Sequence, residues 1–162
     1  MYEVFEGAVD KVIKAKVKDV MRTQLVVVGV EDPIIEVAKK MADARSSYSL
    51  VMEKERVVGI ITERDLVRRV LAEDKDPKEV RAEDVMSSPI IAVIEDSLLT
   101  DAALIMAKNK VRKLVVVNKE NRLVGVVTAS DLAKILAYQM KLENMLFNAL
   151  AREAPPPSKI YE

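Results

Sequence analysis

Two short stretches carry the residue types that could do chemistry. "GIITERD" at 59–65 and "GVVTASD" at 125–131 both read Gly-x-x-Thr-x-x-Asp, ending in Thr62/Asp65 and Thr128/Asp131. One reading is structural. A Thr followed three residues later by an acid, ahead of an apolar run, is a capping box: the Thr oxygen accepts a free helix N–H, and the acid favours the positive end of the helix. The other reading is recognition. A carboxylate at a strand-to-helix turn can accept hydrogen bonds from both hydroxyls of a cis-diol, a neighbouring Thr adds a contact, and the helix N-terminus favours an anionic phosphate. Both readings use one geometry and are compatible.

Other chemistries are poorly served. The chain has no His and no Cys, which removes imidazole catalysis, a thiol nucleophile, a disulfide frame and the usual zinc and iron sites. Its 4 glycines build no phosphate-cradling loop, and no acids pair at helical spacing to hold a metal. No turnover is expected. Lys plus Arg and Asp plus Glu stand at 26 each; that balance, with few aromatic residues, counts against nucleic acid as a partner. The opening "MYEVFEGAVDKVIKAK" is charged throughout and no run approaches a membrane span, so a cytoplasmic protein without a membrane anchor is expected.

The elements that must position the two Thr-Asp pairs emerge from an internal repeat. "KDVMRTQLVVVGVEDPIIEVAKKM" at 18–41 matches "EDVMSSPIIAVIEDSLLTDAALIM" at 83–106, and 45–71 matches 110–136. Each copy reads strand, helix, strand, strand, helix. A short apolar run (25–30; 90–94) precedes a Glu-Asp turn and a helix whose apolar face is Ile34, Val37, Ala38 and Met41 in one copy, and Leu98, Ala102, Ile105 and Met106 in the other. Two apolar runs around a charged turn then read as a hairpin, and a helix opens at Thr62 or Thr128. The fold class is α/β (α+β). The expected organisation is an N-terminal helix over 1–16, a first unit over 17–73, a linker over 74–81, a second unit over 82–137, and a helical extension with a Pro-rich tail over 138–162. The apolar face of that extension suits either internal packing or an oligomer contact.

These residues resemble a known family. The Val-Met opening, the "A-x-x-M" helix, the "VRKLVVV" strand and the closing "VGVVTASDL" are similar to the CBS domain, and two copies in tandem resemble a CBS pair, or Bateman module. The likeness spans both repeats. It implies two units related by a pseudo-twofold axis, sheets packed together, two clefts between them, and often a disc-shaped homodimer. It also implies a regulatory role without chemistry, in which AMP, ADP, ATP, S-adenosylmethionine or a related compound binds and an unidentified partner protein reads the change.

Carried over position by position, the resemblance implies that Asp65 and Asp131 hold ribose with help from Thr62 and Thr128. Ile60 and Val126 would wall the purine, together with the early strand after each Val-Met. On the middle strands, Ser47 and Tyr48 stand where small residues admit adenine, and Arg112 and Lys113 are the basic residues that reach phosphate. The chain departs from the pattern in lacking a Pro before the middle apolar run, where Leu50 and Val115 stand, and in having no His. Because the copies differ at most of these positions, inequivalent sites are expected. The alternative is an interaction or scaffolding module whose clefts are vestigial.

Overall fold

The computed structural model describes residues 14–135, with 137 and 141. The expected N-terminal helix and C-terminal extension lie outside the described residues apart from 14–16 and 141.

Each unit folds in the order read from the repeat. In the first, β1 (Val27–Gly29) leads into α1 (Ile34–Asp43), β2 (Tyr48–Glu53), β3 (Arg56–Thr62) and α2 (Glu63–Leu66), which continues as a π-helical turn over Val67–Leu71. After the short α3 (Ala82–Val85), the second unit repeats this with β4 (Ala92–Ile94), α4 (Leu99–Asn109), β5 (Lys113–Val117), β6 (Leu123–Thr128) and α5 over 129–135. The sheets run β1-β2-β3 and β4-β5-β6. In each, the first pair is parallel across the helical crossover and the second is an antiparallel hairpin.

The helical faces follow the 3.6-residue period. Ile34, Val37 and Met41 are buried on α1, and Leu99, Ala102 and Met106 on α4. Leu99 takes the place expected of Leu98, because the helix begins one residue later and Leu98 is its N-cap, bridged to Lys16. The first strands are shorter than their apolar runs. Leu25 and Ile90 leave the ladder and pack between the sheets, around Tyr48, Leu50, Val115 and Val126.

Packing does not respect the boundaries of the repeat. Ala82 and Val85, at the start of the second copy, are buried in the first unit's core with Val28, Ile34 and Val51. Val17, at the start of the first copy, is buried in the second unit's core with Val93 and Leu114. Each Val-Met segment thus crosses to the other unit and is pinned there by paired backbone hydrogen bonds. Arg22 and Val126 exchange N–H···O bonds of 2.9 and 3.0 Å, and Ser87 and Ile60 exchange bonds of 2.8 and 3.1 Å.

The glycine of each Gly-x-x-Thr-x-x-Asp exists for this crossing. A Cβ on Gly59 would lie 2.9 Å from Met86 Cβ and overlap its sulfur. One on Gly125 would lie 2.7 Å from Met21 Sδ and 2.9 Å from the Arg22 backbone oxygen. A methionine tip can move aside, but a Cβ or a carbonyl held in a bridge cannot do so cheaply. Gly59→Ala and Gly125→Ala should each destabilise the fold by about 1–3 kcal/mol through overpacking, measured by urea unfolding. Unchanged midpoints for both would contradict the crossing.

Candidate functional site

Both Thr-Asp pairs are complete capping boxes. Thr62 donates its N–H and Oγ–H to Asp65 Oδ2 at 2.8 and 2.7 Å, and the Asp65 N–H donates back to Thr62 Oγ1 at 3.3 Å. Thr128 and Asp131 repeat the pattern at 3.0, 2.7 and 3.2 Å. The local chemistry explains this. The strand ends with an extended residue at Thr62, and the next turn leaves N–H groups that only a side chain or solvent can satisfy.

The first pair opens onto a cleft of about 500 Å³ between the units, within the range of small-molecule sites. One wall is Ser47, Ile60, Thr62, Glu63, Arg64 and Asp65. The other comes from the second copy: Ser87, Pro89, Ile90 and Ile91 after the crossing Met86, then Lys110 to Lys113, and Val115 on β5. Lys110 ends α4 in the left-handed conformation (φ 54), which turns the chain so that Val111, Arg112 and Lys113 reach the rim. Of the residues named from sequence, Ile60, Ser47, Thr62, Asp65, Arg112 and Lys113 therefore meet in one cavity, although they come from both copies.

This cleft has a distinct electrostatic character. Arg64, Lys110, Arg112 and Lys113 outnumber Glu63 and Asp65 along its lining. Lys113 is half-buried, with its Nζ 5.5 Å from the centre of the Tyr48 ring. Burial, reinforced by the Arg112 charge, lowers its pKa against the opposing pull of Asp65 and Glu63. Asp65 Oδ2 is occupied by Thr62, whereas the nearest cation to Oδ1 is Arg69 Nη2 at 3.7 Å, beyond hydrogen-bond range. Arg69 instead directs its other terminal nitrogen to the carbonyls of Val85 and Met86. It braces the crossing segment and is not among the residues lining the cleft.

The second pair has different surroundings. Asp131 is only 7% exposed. Its Oδ1 receives both Arg22 Nε at 3.1 Å and Arg22 Nη2 at 2.9 Å, and its Oδ2 is held by Thr128. Val126 is wholly buried in the core between the sheets, and Tyr48 nearly so. Burial raises the Tyr48 hydroxyl pKa, with Asp131 adding to the rise and Arg22 opposing it. Tyr48, Thr128, Asp131 and Val126 thus belong to the counterpart region and not to the open cleft. Arg22 was not singled out from sequence; the available signal was the Arg-for-Ser difference after the two Val-Met pairs. Among the described residues no acid cluster could hold a metal, and no helix is long and apolar enough to cross a membrane.

Burial by itself pushes the Asp131 pKa up, but hydrogen bonds from Arg22 and Thr128, with the Arg22 charge, outweigh it and hold the carboxyl below the ordinary aspartate value. A carboxyl depressed in the folded state adds stability that is fully present above its unfolded pKa, about 3.9, and is lost as pH falls through the folded value. Arg22→Ala should therefore raise the Asp131 midpoint in a carboxyl-carbon NMR titration and move the loss of stability to higher pH. An unshifted midpoint would show that the pair does not form in solution.

A model of the CBS domain matches residues 17–72 and 82–138. The uncharacterized protein MK0525 of Methanopyrus kandleri is 37% identical over 123 residues, 75% of this chain and 63% of that protein. A probable arabinose 5-phosphate isomerase of Haemophilus influenzae is 34% identical over 125 residues, 77% of this chain but 37% of the isomerase. The chain thus spans less than two thirds of the length of either relative. Among solved structures, the CBS domain pair of protein MJ0100 in complex with 5'-methylthioadenosine and S-adenosyl-L-methionine superposes with a TM-score of 0.69 at 25% identity, over 77% of this chain and 98% of that one.

Proposed function

Since the chain belongs to the CBS domain family, as a tandem pair, we propose that it is a non-enzymatic regulatory module that binds an adenosine-containing ligand in the Asp65 cleft. The observation that carries this reading is the half-used carboxylate. A carboxylate has about four acceptor positions; at Asp65 two are filled by Thr62 and the Oδ1 pair is left for a diol. The ribose hydroxyls donate to Oδ1, and Ile60, Ile90 and Val115 flank the purine. Phosphates meet Arg64, Lys110, Arg112 and Lys113. The adenosyl complex of the MJ0100 pair supports the ligand class, while the basic rim favours AMP, ADP or ATP over the cationic S-adenosylmethionine.

A ligand in this cleft touches both units and therefore acts on their relative placement. It shifts that placement only as far as it prefers one arrangement. The module works as a homodimer, and an unidentified partner protein reads the shift.

Titration calorimetry with AMP, ADP, ATP and S-adenosylmethionine should show binding below millimolar concentration, tighter for the nucleotides. Asp65→Ala should weaken it at least tenfold, because a hydrogen bond to a charged group is worth about 1.5–3 kcal/mol. Thr62→Ala should cost about 1 kcal/mol of stability as a lost cap while retaining most of the affinity. If no adenosyl compound binds below millimolar concentration, the reading fails.

A further inference from the structure

Among the differences between the two Thr-Asp regions, one falls where the repeat aligns Arg22 with Ser87. Arg22 follows Val20-Met21 as Ser87 follows Val85-Met86. Both residues are bridged to the opposite unit at matching places, Arg22 to Val126 and Ser87 to Ile60. Ser87 lines the open cleft, and no hydrogen bond to Asp65 Oδ1 forms among the described residues. At the same place in the other unit, Arg22 delivers two N–H donors onto Asp131 Oδ1, so that all four acceptor positions of that carboxylate are used.

Resting on the proposed adenosyl reading, we infer that Arg22 is a built-in plug. It fills at Asp131 the hydrogen-bonding role that a ribose diol takes at Asp65, so the residue after each Val-Met decides which cleft accepts a ligand. The protein binds one adenosyl ligand per chain. A ligand entering the second cleft would have to break two charge-assisted bonds to a carboxylate that water barely reaches. Among the described residues no other cation pairs with Asp131 besides the half-exposed Arg22. In the first unit the cation near Asp65 is Arg69, which is not among the residues lining the cleft, but the residue at the matching place of the second unit is Ile135. The cation on Asp131 comes instead from Arg22, whose counterpart Ser87 lines the open cleft, and that is the place it blocks.

Native mass spectrometry with ATP and AMP as probes tests this by counting. Wild type should carry one nucleotide per chain, Arg22→Ser two, and Ser87→Arg none. The double variant Arg22→Ser/Ser87→Arg should carry one, lost on adding Asp131→Ala and retained on adding Asp65→Ala. Two nucleotides on wild type overturn the plug, as does a folded Arg22→Ser protein that still carries one. Should Arg22→Ser not fold, Ser87→Arg decides: full loss supports the plug and undiminished binding overturns it. No nucleotide on wild type with one on Arg22→Ser would keep the plug but overturn the assignment of the open cleft to Asp65. None on any of the proteins overturns both.

Discussion

The reciprocal crossing of the two Val-Met segments is the contact on which the rest of the molecule depends. Met86 lies on Gly59 and Met21 on Gly125 so closely that no side chain fits beneath either sulfur. Backbone bridges on the next residue, Ser87 with Ile60 and Arg22 with Val126, hold each segment to the other unit's third strand. Neither core is complete without residues from the other copy: Ala82 and Val85 close the first, and Val17 closes the second. The units are therefore joined through their cores as well as across the open cleft. Each segment also lands beside a Thr-Asp pair, so the cleft at Asp65 is built from both units by the same contact that joins them.

One capping box, written twice, ends in two electrostatic states. In each, the Thr spends the Oδ2 oxygen of its Asp on helix initiation, which fixes the carboxylate and leaves Oδ1 to the surroundings. At Asp65 the surroundings are a cavity, a serine and a rim of four cations; at Asp131 they are a guanidinium and a buried tyrosine. The pair in the second site holds the Asp131 carboxyl in its charged form, while Lys113 in the first is a half-buried ammonium weakened by burial and by Arg112. An anion arriving beside Lys113 relieves that destabilisation, as favourable charge does for any partly desolvated cation.

The secondary structure was legible because the signals are local. Periodicity marked α1 and α4, β-branched runs around charged turns marked both hairpins, and Thr-x-x-Asp marked the helix starts. Resemblance named Ile60, Ser47, Thr62, Asp65, Arg112 and Lys113 one at a time, but not that they share one cavity, because their chain separations say nothing of proximity and the cavity forms only where the two copies pack together. The crossing was not legible: a repeat shows that two segments are alike but not which copy each one packs against. Nor was the role of Arg22, which lies 109 residues from Asp131 and precedes the first strand. The burial of Val126 and Tyr48 depends on where the two sheets meet, which no single strand's pattern specifies.

A crystal structure of the protein grown with ATP decides whether one adenosyl ligand binds across both units at Asp65. Adenosine density is expected between Ile60 and Val115, with the ribose hydroxyls in hydrogen-bond contact with Asp65 Oδ1 and Arg22 still on Asp131. Adenosine bound at Asp131 with the Asp65 cleft empty, or at neither carboxylate, would contradict binding at Asp65.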